Sequence, residues 1–255
     1  MKRIARINVS FVKGFRLSHP DEVALGADGV EDNRRFLLVD ADGQRLRGSV
    51  TPWPVRLRAD YDAGAEQLRI HFPDGSIVEG DAVARGNAIH STAGTIDVSG
   101  RIVEGPWNES LSALAGKHVR LARADRTGAG MNAPVTLVSD GSLARLAREA
   151  GRETIDARRF RMLFEIEGCD AHEEDTWDGM RFAAGETVLR VGGPVDRCAV
   201  TTRDPETGER DLDTLRLLKG YRGQRESDGA VLFGVYAYVE RPGVVRVGDE
   251  FAPLT

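Results

Sequence analysis

Short runs of β-branched and aromatic residues, each closed by a glycine- or aspartate-containing turn, restrict this chain to a small set of folds. Arg35-Phe36-Leu37-Leu38-Val39-Asp40 ends in the turn Asp40-Ala41-Asp42-Gly43. Leu57 to Tyr61 and Gln67-Leu68-Arg69-Ile70-His71-Phe72 form a pair joined through Asp62-Ala63-Gly64, and Ser76-Ile77-Val78 follows the turn Pro73-Asp74-Gly75. Side chains of this type pack well on a pleated surface, and regular turns between such runs predict a barrel or sandwich. The pattern returns at the end of the chain in Val231-Leu232-Phe233, Val235-Tyr236-Ala237-Tyr238-Val239 and Val244-Val245-Arg246-Val247.

Helices are few. Trp107 to Leu114 is one, with Asn108 as its cap and Gly116 as its stop. Ser139-Asp140-Gly141-Ser142 starts a second, whose residues Leu143, Leu146, Ala147 and Ala150 share a face before Gly151 stops it. A third carries Leu212, Leu215 and Leu218. The polar, glycine-containing loop from Arg123 to Ala133 divides the chain. The expected fold is mainly β (α+β). A β-barrel-like domain occupies residues 1–123, and a second β-barrel domain with the helices occupies 124–255.

Composition narrows the function. With 35 basic and 40 acidic side chains the net charge is −5, which gives no general attraction to nucleic acid or an anionic membrane. No run of about 18 apolar residues occurs, and Met1-Lys2-Arg3-Ile4-Ala5-Arg6-Ile7 lacks the apolar core of a signal peptide. No nucleic acid, no membrane and a cytoplasmic location are therefore expected. The two cysteines, Cys169 and Cys198, do not suggest a secreted disulfide scaffold and exclude a four-cysteine iron–sulfur cluster from this chain. The five histidines show no zinc-hydrolase spacing, and no G-x-S-x-G occurs. Gly128-Ala129-Gly130 does not follow a strand as a dinucleotide site requires, and Asp204 to Glu209 reads as a turn rather than a calcium loop. His172 beside Glu173-Glu174-Asp175 reads as a solvated acidic loop.

One stretch stands out for chemistry. Gly192-Gly193-Pro194 reads as a turn and Ala199-Val200-Thr201-Thr202 as a strand, so Cys198 would sit where a turn enters a strand. Arg197 beside it would favour the thiolate, the form that attacks electrophiles and binds soft metals. The plain alternative is a small buried hydrophobe. Lys13, Arg34-Arg35, Arg158-Arg159-Phe160-Arg161 and Arg197 offer cations that together could hold a phosphate-bearing cofactor, or could be ordinary surface charges.

These residues resemble a known family. Arg159-Phe160-Arg161, Glu174-Asp175-Thr176-Trp177, Arg197-Cys198-Ala199-Val200-Thr201-Thr202, Asp204-Pro205-Glu206-Thr207-Gly208, Tyr221-Arg222, Phe233-Gly234-Val235-Tyr236 and Val247-Gly248-Asp249 occur in the order found in MOSC-domain proteins. That group includes the C-terminal domain of molybdenum cofactor sulfurase and the mitochondrial amidoxime-reducing component. The N-terminal part is similar to the β-barrel domain preceding the MOSC domain in longer members. The resemblance implies a molybdenum cofactor of the molybdopterin type, with Cys198 as catalytic residue and molybdenum ligand. It implies Lys13, Arg35, Arg161 and Arg197 around the phosphate and pterin, Ser139 or Ser142 as a hydroxyl donor, and Asp175 orienting pterin or substrate. Pyridoxal phosphate binding is a further attribute of the family. Met162 and Leu163 depart from the Pro and Asn of reducing members, and Asp196 stands where serine is common.

Three readings follow. The first is an oxidoreductase that reduces N-hydroxylated or related small-molecule substrates, fed by a separate electron-donor protein or reductase. The second is a carrier of cofactor or sulfur using Cys198 as ligand or persulfide. The third is an interaction protein whose site has decayed.

Overall fold

The computed structural model describes residues 1–93 and 96–254. Strands dominate, with three α-helices among the described residues: Trp107–Ala115, Asp140–Glu149 and Thr214–Arg222. The mainly β expectation holds.

The largest sheet has seven strands, in the order Arg3–Ile7, Phe164–Glu167, Val135–Ser139, Val231–Arg241, Thr187–Arg197, Arg181–Ala184 and Phe251–Leu254. Its two ends meet. The Phe251 N–H donates to Lys2 O and the Ile4 N–H to Asp249 O, both at 2.9 Å, which nearly closes a barrel. Alternate residues point inward, so Ile4, Leu137, Phe164, Phe182, Leu189 and Val235 fill the interior. A second core lies among the earlier strands, built on Phe36, Leu57, Leu68, Ile70, Trp107 and Leu121.

The division at residue 123 is not a clean cut in space. Arg3–Ile7 pairs antiparallel with Phe164–Glu167, and Glu22–Gly26 pairs with Gly243–Arg246. Ile4, Ile7, Val23 and Leu25 therefore belong to the barrel's core. A strand near the N-terminus supplies pairing that the later segment lacks on that edge.

Local expectations fare unevenly. Ser139 does cap the second helix, its Oγ accepting from the Ser142 N–H at 3.1 Å. Asn108 is not a cap. Pro106 precedes that helix, and Asn108 instead donates to Val103 O and accepts from the Leu121 N–H, tying helix to sheet. Gly192-Gly193-Pro194 is not a turn but lies inside the strand Thr187–Arg197, where the register slips on both sides of Pro194. Proline is tolerated there because a bulge leaves its missing N–H unneeded. Ala199–Thr202 is a 3₁₀ turn, not a strand. Thr201 and Thr202 donate their hydroxyls to the carbonyls of Cys198 and Ala199, a local pairing that competes with a sheet ladder.

Opposite the slipped register, Gly234 sits at φ +71 within Val231–Arg241. A side chain there would place its Cβ 2.5 Å from Leu137 O and 2.6 Å from Met162 Cε. Only glycine adopts this bend without strain. Gly234→Ala should lower unfolding free energy by roughly 2–5 kcal/mol, from backbone strain plus overpacking. Gly116→Ala, at φ +64 in open space, should lose only about 1–2 kcal/mol. Urea unfolding of the two variants checks this; equal losses would show that crowding at Gly234 contributes nothing.

Candidate functional site

A cleft of about 280 Å³ lies where the earlier strands meet the outer wall of the barrel. Cys198 is on its edge, immediately after the strand Thr187–Arg197 ends. The thiol is exposed, so it is not a sealed core cysteine. Cys169 is the contrast: half-buried, beside Asp140 and Glu173, its thiol is pushed up to about 12 by burial and then by those carboxylates. It cannot supply a thiolate at neutral pH.

Five cations line the cleft, Lys13, Arg34, Arg159, Arg161 and Arg197, and all but Arg159 form a set apart. Among the described residues none of the four has a carboxylate within ion-pairing distance; backbone carbonyls hold them instead. Lys13 Nζ donates to Ala129 O at 2.9 Å and Gly130 O at 2.7 Å. Arg34 Nη2 donates to Arg161 O, and Arg161 Nη2 to Phe15 O, each at 2.8 Å. Arg197 donates through Nε to Phe233 O at 2.7 Å and through Nη1 to Phe160 O at 3.1 Å, and its guanidinium lies over the Phe160 ring. Two thioethers complete this shell, Met131 Sδ on Arg34 and Met162 Sδ on Arg197.

Burial of these cations shows in their acidities. Burial first, then repulsion from Arg34, Arg45 and Arg161, holds the Lys13 ammonium well below its ordinary 10.5. Burial lowers Arg161 to about 9, with Arg34 adding repulsion, and lowers Arg34 and Arg197 to about 10 each. Burial out of water is the first cause of each shift, and for Lys13 and Arg161 neighbouring cations add to it.

The cations also differ in what they have left to give. Arg197 spends most of its five N–H donors on two carbonyls and a thioether. Arg161 has a single carbonyl partner, so most of its fork is free for a ligand. Arg159, also in the cleft wall, is already neutralised by Asp211 at 3.1 Å.

Of the residues singled out from sequence, Lys13, Arg161, Arg197 and Cys198 come together here. Four do not. Arg35 points away and donates to Asp125 O; its neighbour Arg34 takes the place in the cleft, because φ +55 at Arg34 turns the chain there. Ser139 is fully buried, giving its proton to Glu174 Oε2 at 2.6 Å. Ser142 Oγ accepts from the His172 N–H, and Asp175 pairs with Arg222 at 2.7 Å. The acidic stretch is thus no solvated loop: Glu174 is wholly buried, and Glu173 pairs with Lys2. These groups plug one end of the barrel. Burial lowers His172 to about 4, with help from Arg222, so its ring is neutral there.

Sequence reasoning did not single out Met131, Asn132, Thr136 or Tyr236 as lining residues. Tyr236 did carry a signal, as part of Phe233-Gly234-Val235-Tyr236. Among the described residues no group of three or more His, Cys, Asp or Glu is placed to hold a metal ion, and no helix is long and apolar enough to cross a membrane.

The chain is 37% identical over 122 residues to mitochondrial amidoxime reducing component 2 of Bos taurus, and 36% identical to mitochondrial amidoxime-reducing component 1 of Homo sapiens. Each alignment covers 46% of this chain and 35% of the relative, so the chain spans about a third of the length of the curated relatives it matches. The solved YUAD protein from Bacillus subtilis is similar over 98% of this chain and 94% of that one, at 13% identity and a TM-score of 0.44, a likeness too slight to argue from. Residues 124–252 match the MOSC domain, a span that takes in Arg161, Arg197, Cys198 and half of the whole sequence. The chain belongs to the MOSC domain family.

Proposed function

We propose that this protein is a molybdenum-cofactor-dependent reductase of N-hydroxylated or related oxidised small molecules, supplied with electrons by a separate donor protein. The observation that carries the reading is the set of four cations, without carboxylate ion-pair partners among the described residues, converging on one cleft with an exposed thiol at its edge. Such a set fits a pterin bearing a phosphate. Arginine forks match phosphate oxygens, and a cysteine sulfur suits a soft, electron-rich metal site. The relatives named for amidoxime reduction support the same substrate class.

In this reading Cys198 ligates the metal. Arg161, with its free fork, and Lys13 and Arg34 hold the phosphate and pterin. Arg197 contributes field more than contacts, its guanidinium being fixed by Phe160 and Phe233. When bound, the cofactor supplies the two-electron couple that cleavage of an N–O bond requires, the oxygen leaving as water with two protons taken up. The protein's part is to keep the cleft positive, oriented and shielded by Leu38, Leu46, Phe160 and Val200. Arg35, Ser139, Ser142 and Asp175 have no place in it.

The test is metal and pterin content after expression in a host that makes the cofactor. Wild type should carry close to one molybdenum per chain and reduce an amidoxime with an artificial electron donor; Cys198→Ala should lose the metal. Pterin retained by a metal-free wild type would instead indicate a carrier, and absence of both would end the proposal.

The donor counts make a further distinction. Arg161→Ala should lose most of the cofactor while stability falls by no more than about 1–1.5 kcal/mol, since one carbonyl contact goes. Arg197→Ala should lower stability by about 2–4 kcal/mol, because two carbonyls lose their donor. Cofactor analysis beside urea unfolding separates the two.

Lys13 gives a pH signature. Its folded-state acidity is lowered, so its charge works against folding at low pH, and that penalty is relieved as pH rises from the lowered value toward 10.5. Cofactor-free wild type should therefore gain stability relative to Lys13→Met as pH is raised from neutrality toward 10.5. A constant difference across that range would show that Lys13 is not perturbed.

A further inference from the structure

We infer that Tyr236, held in place by Asn132, donates the hydrogen bond that positions the oxygen of an N-hydroxylated substrate in the cleft. This rests on the reductase reading and names an uncharged residue for it, on the same cleft wall as Arg197.

The case begins with strand geometry. Tyr236 pairs with Thr136 across the sheet, while its neighbours Val235 and Ala237 point into the barrel and are buried. Alternation therefore turns Tyr236 outward, onto the wall it shares with Cys198 and Arg197. The bend at Gly234 lies two residues before it.

Of the uncharged and acidic polar groups in the cleft, Thr51, Thr136 and Tyr236 keep hydroxyl protons with no acceptor among the described residues, and of these Thr136 is buried and Tyr236 is fixed by a side-chain amide. The Thr136 hydroxyl accepts from the Leu163 N–H at 2.9 Å. Thr201 Oγ1 bonds Cys198 O and Thr214 Oγ1. Asp196 is paired with Arg225 at 3.0 Å. Tyr236 Oη instead accepts from Asn132 Nδ2 at 3.0 Å. That bond occupies a lone pair and leaves the phenolic proton to donate, and no acceptor for it occurs among the described residues. The amide fixes the phenol from behind, so the proton's direction is preorganised.

The chemistry of this donor selects a class of ligand. The oxygen of an amidoxime or hydroxylamine accepts such a bond; the amidine or amine formed by reduction has lost that oxygen. Tyr236 would thus favour substrate over product. Leu38, Leu46, Ile96, Phe160 and Val195 supply an apolar surround, which suits a flat hydrocarbon body on the substrate.

Calorimetric titration without reductant tests this, using benzamidoxime and benzamidine as probes on protein from the cofactor-making host. In Tyr236→Phe, benzamidoxime should bind about fivefold to tenfold more weakly than in wild type, while benzamidine binding changes less than about twofold. Asn132→Asp, at an exposed position, turns the donor into an acceptor that captures the phenolic proton, and should give the same pattern. Molybdenum content should match wild type in both variants. Equal weakening for both probes would mean that Tyr236 only shapes the cleft, and unchanged benzamidoxime binding would overturn the inference outright. A wild type without molybdenum would sink the reductase reading separately, since the two-probe comparison is read on the protein in either case.

Discussion

Holding positive charge out of water without a negative partner is the constraint on which this structure turns. An isolated buried charge is expensive, and its usual solution is an ion pair or neutralisation. Here Lys13, Arg34, Arg161 and Arg197 are instead held by carbonyl oxygens, which carry partial charge and leave the cleft net positive. The same bonds are structural ties. Arg161 reaches back to Phe15 and Arg34 reaches forward to Arg161, so the early strands and the barrel are joined through the groups that would bind a ligand. Loss of one tie would be felt both as stability and as binding, in proportions set by how many carbonyls it leaves bare.

The barrel's irregularities build the cleft. A regular strand would have carried Thr187–Arg197 onward and buried Cys198 in a ladder. The slipped register around Pro194, the positive φ of Gly234 and the 3₁₀ turn that follows Cys198 end the sheet at that point. The thiol is left at a strand terminus on a rigid wall, where a ligating or reacting group is best held. Bulges next to sites are expected where a side chain must be re-aimed.

The end of the barrel shows a different use of polar residues. Glu174, Ser139, Ser142 and His172 form a buried chain of hydrogen bonds, with Arg222 and Asp175 on its outer side. Their residue types resemble those of an active site. Ser139, Ser142 and Glu174 are buried and bonded to one another, which ties this end of the barrel together, while His172 Nε2 is left without a partner among the described residues.

Taken alone, the chain's order of β-prone runs and turns determined a mainly β fold with few helices, because side-chain type and turn chemistry act locally. The runs Arg197-Cys198 and Arg159-Phe160-Arg161, singled out from sequence, are brought by the fold to one cleft. Tertiary structure decided the rest. Whether Arg34 or Arg35 faces the cleft depends on a turn with left-handed residues at Asp32 and Arg34, and whether Ser139 and Asp175 meet a ligand or each other's neighbours depends on elements far apart in sequence. That none of the four cations forms an ion pair among the described residues could not be read from a chain with more acidic than basic residues. Composition counts charges, but only folding sets the distances between them, and Coulomb energy depends on distance.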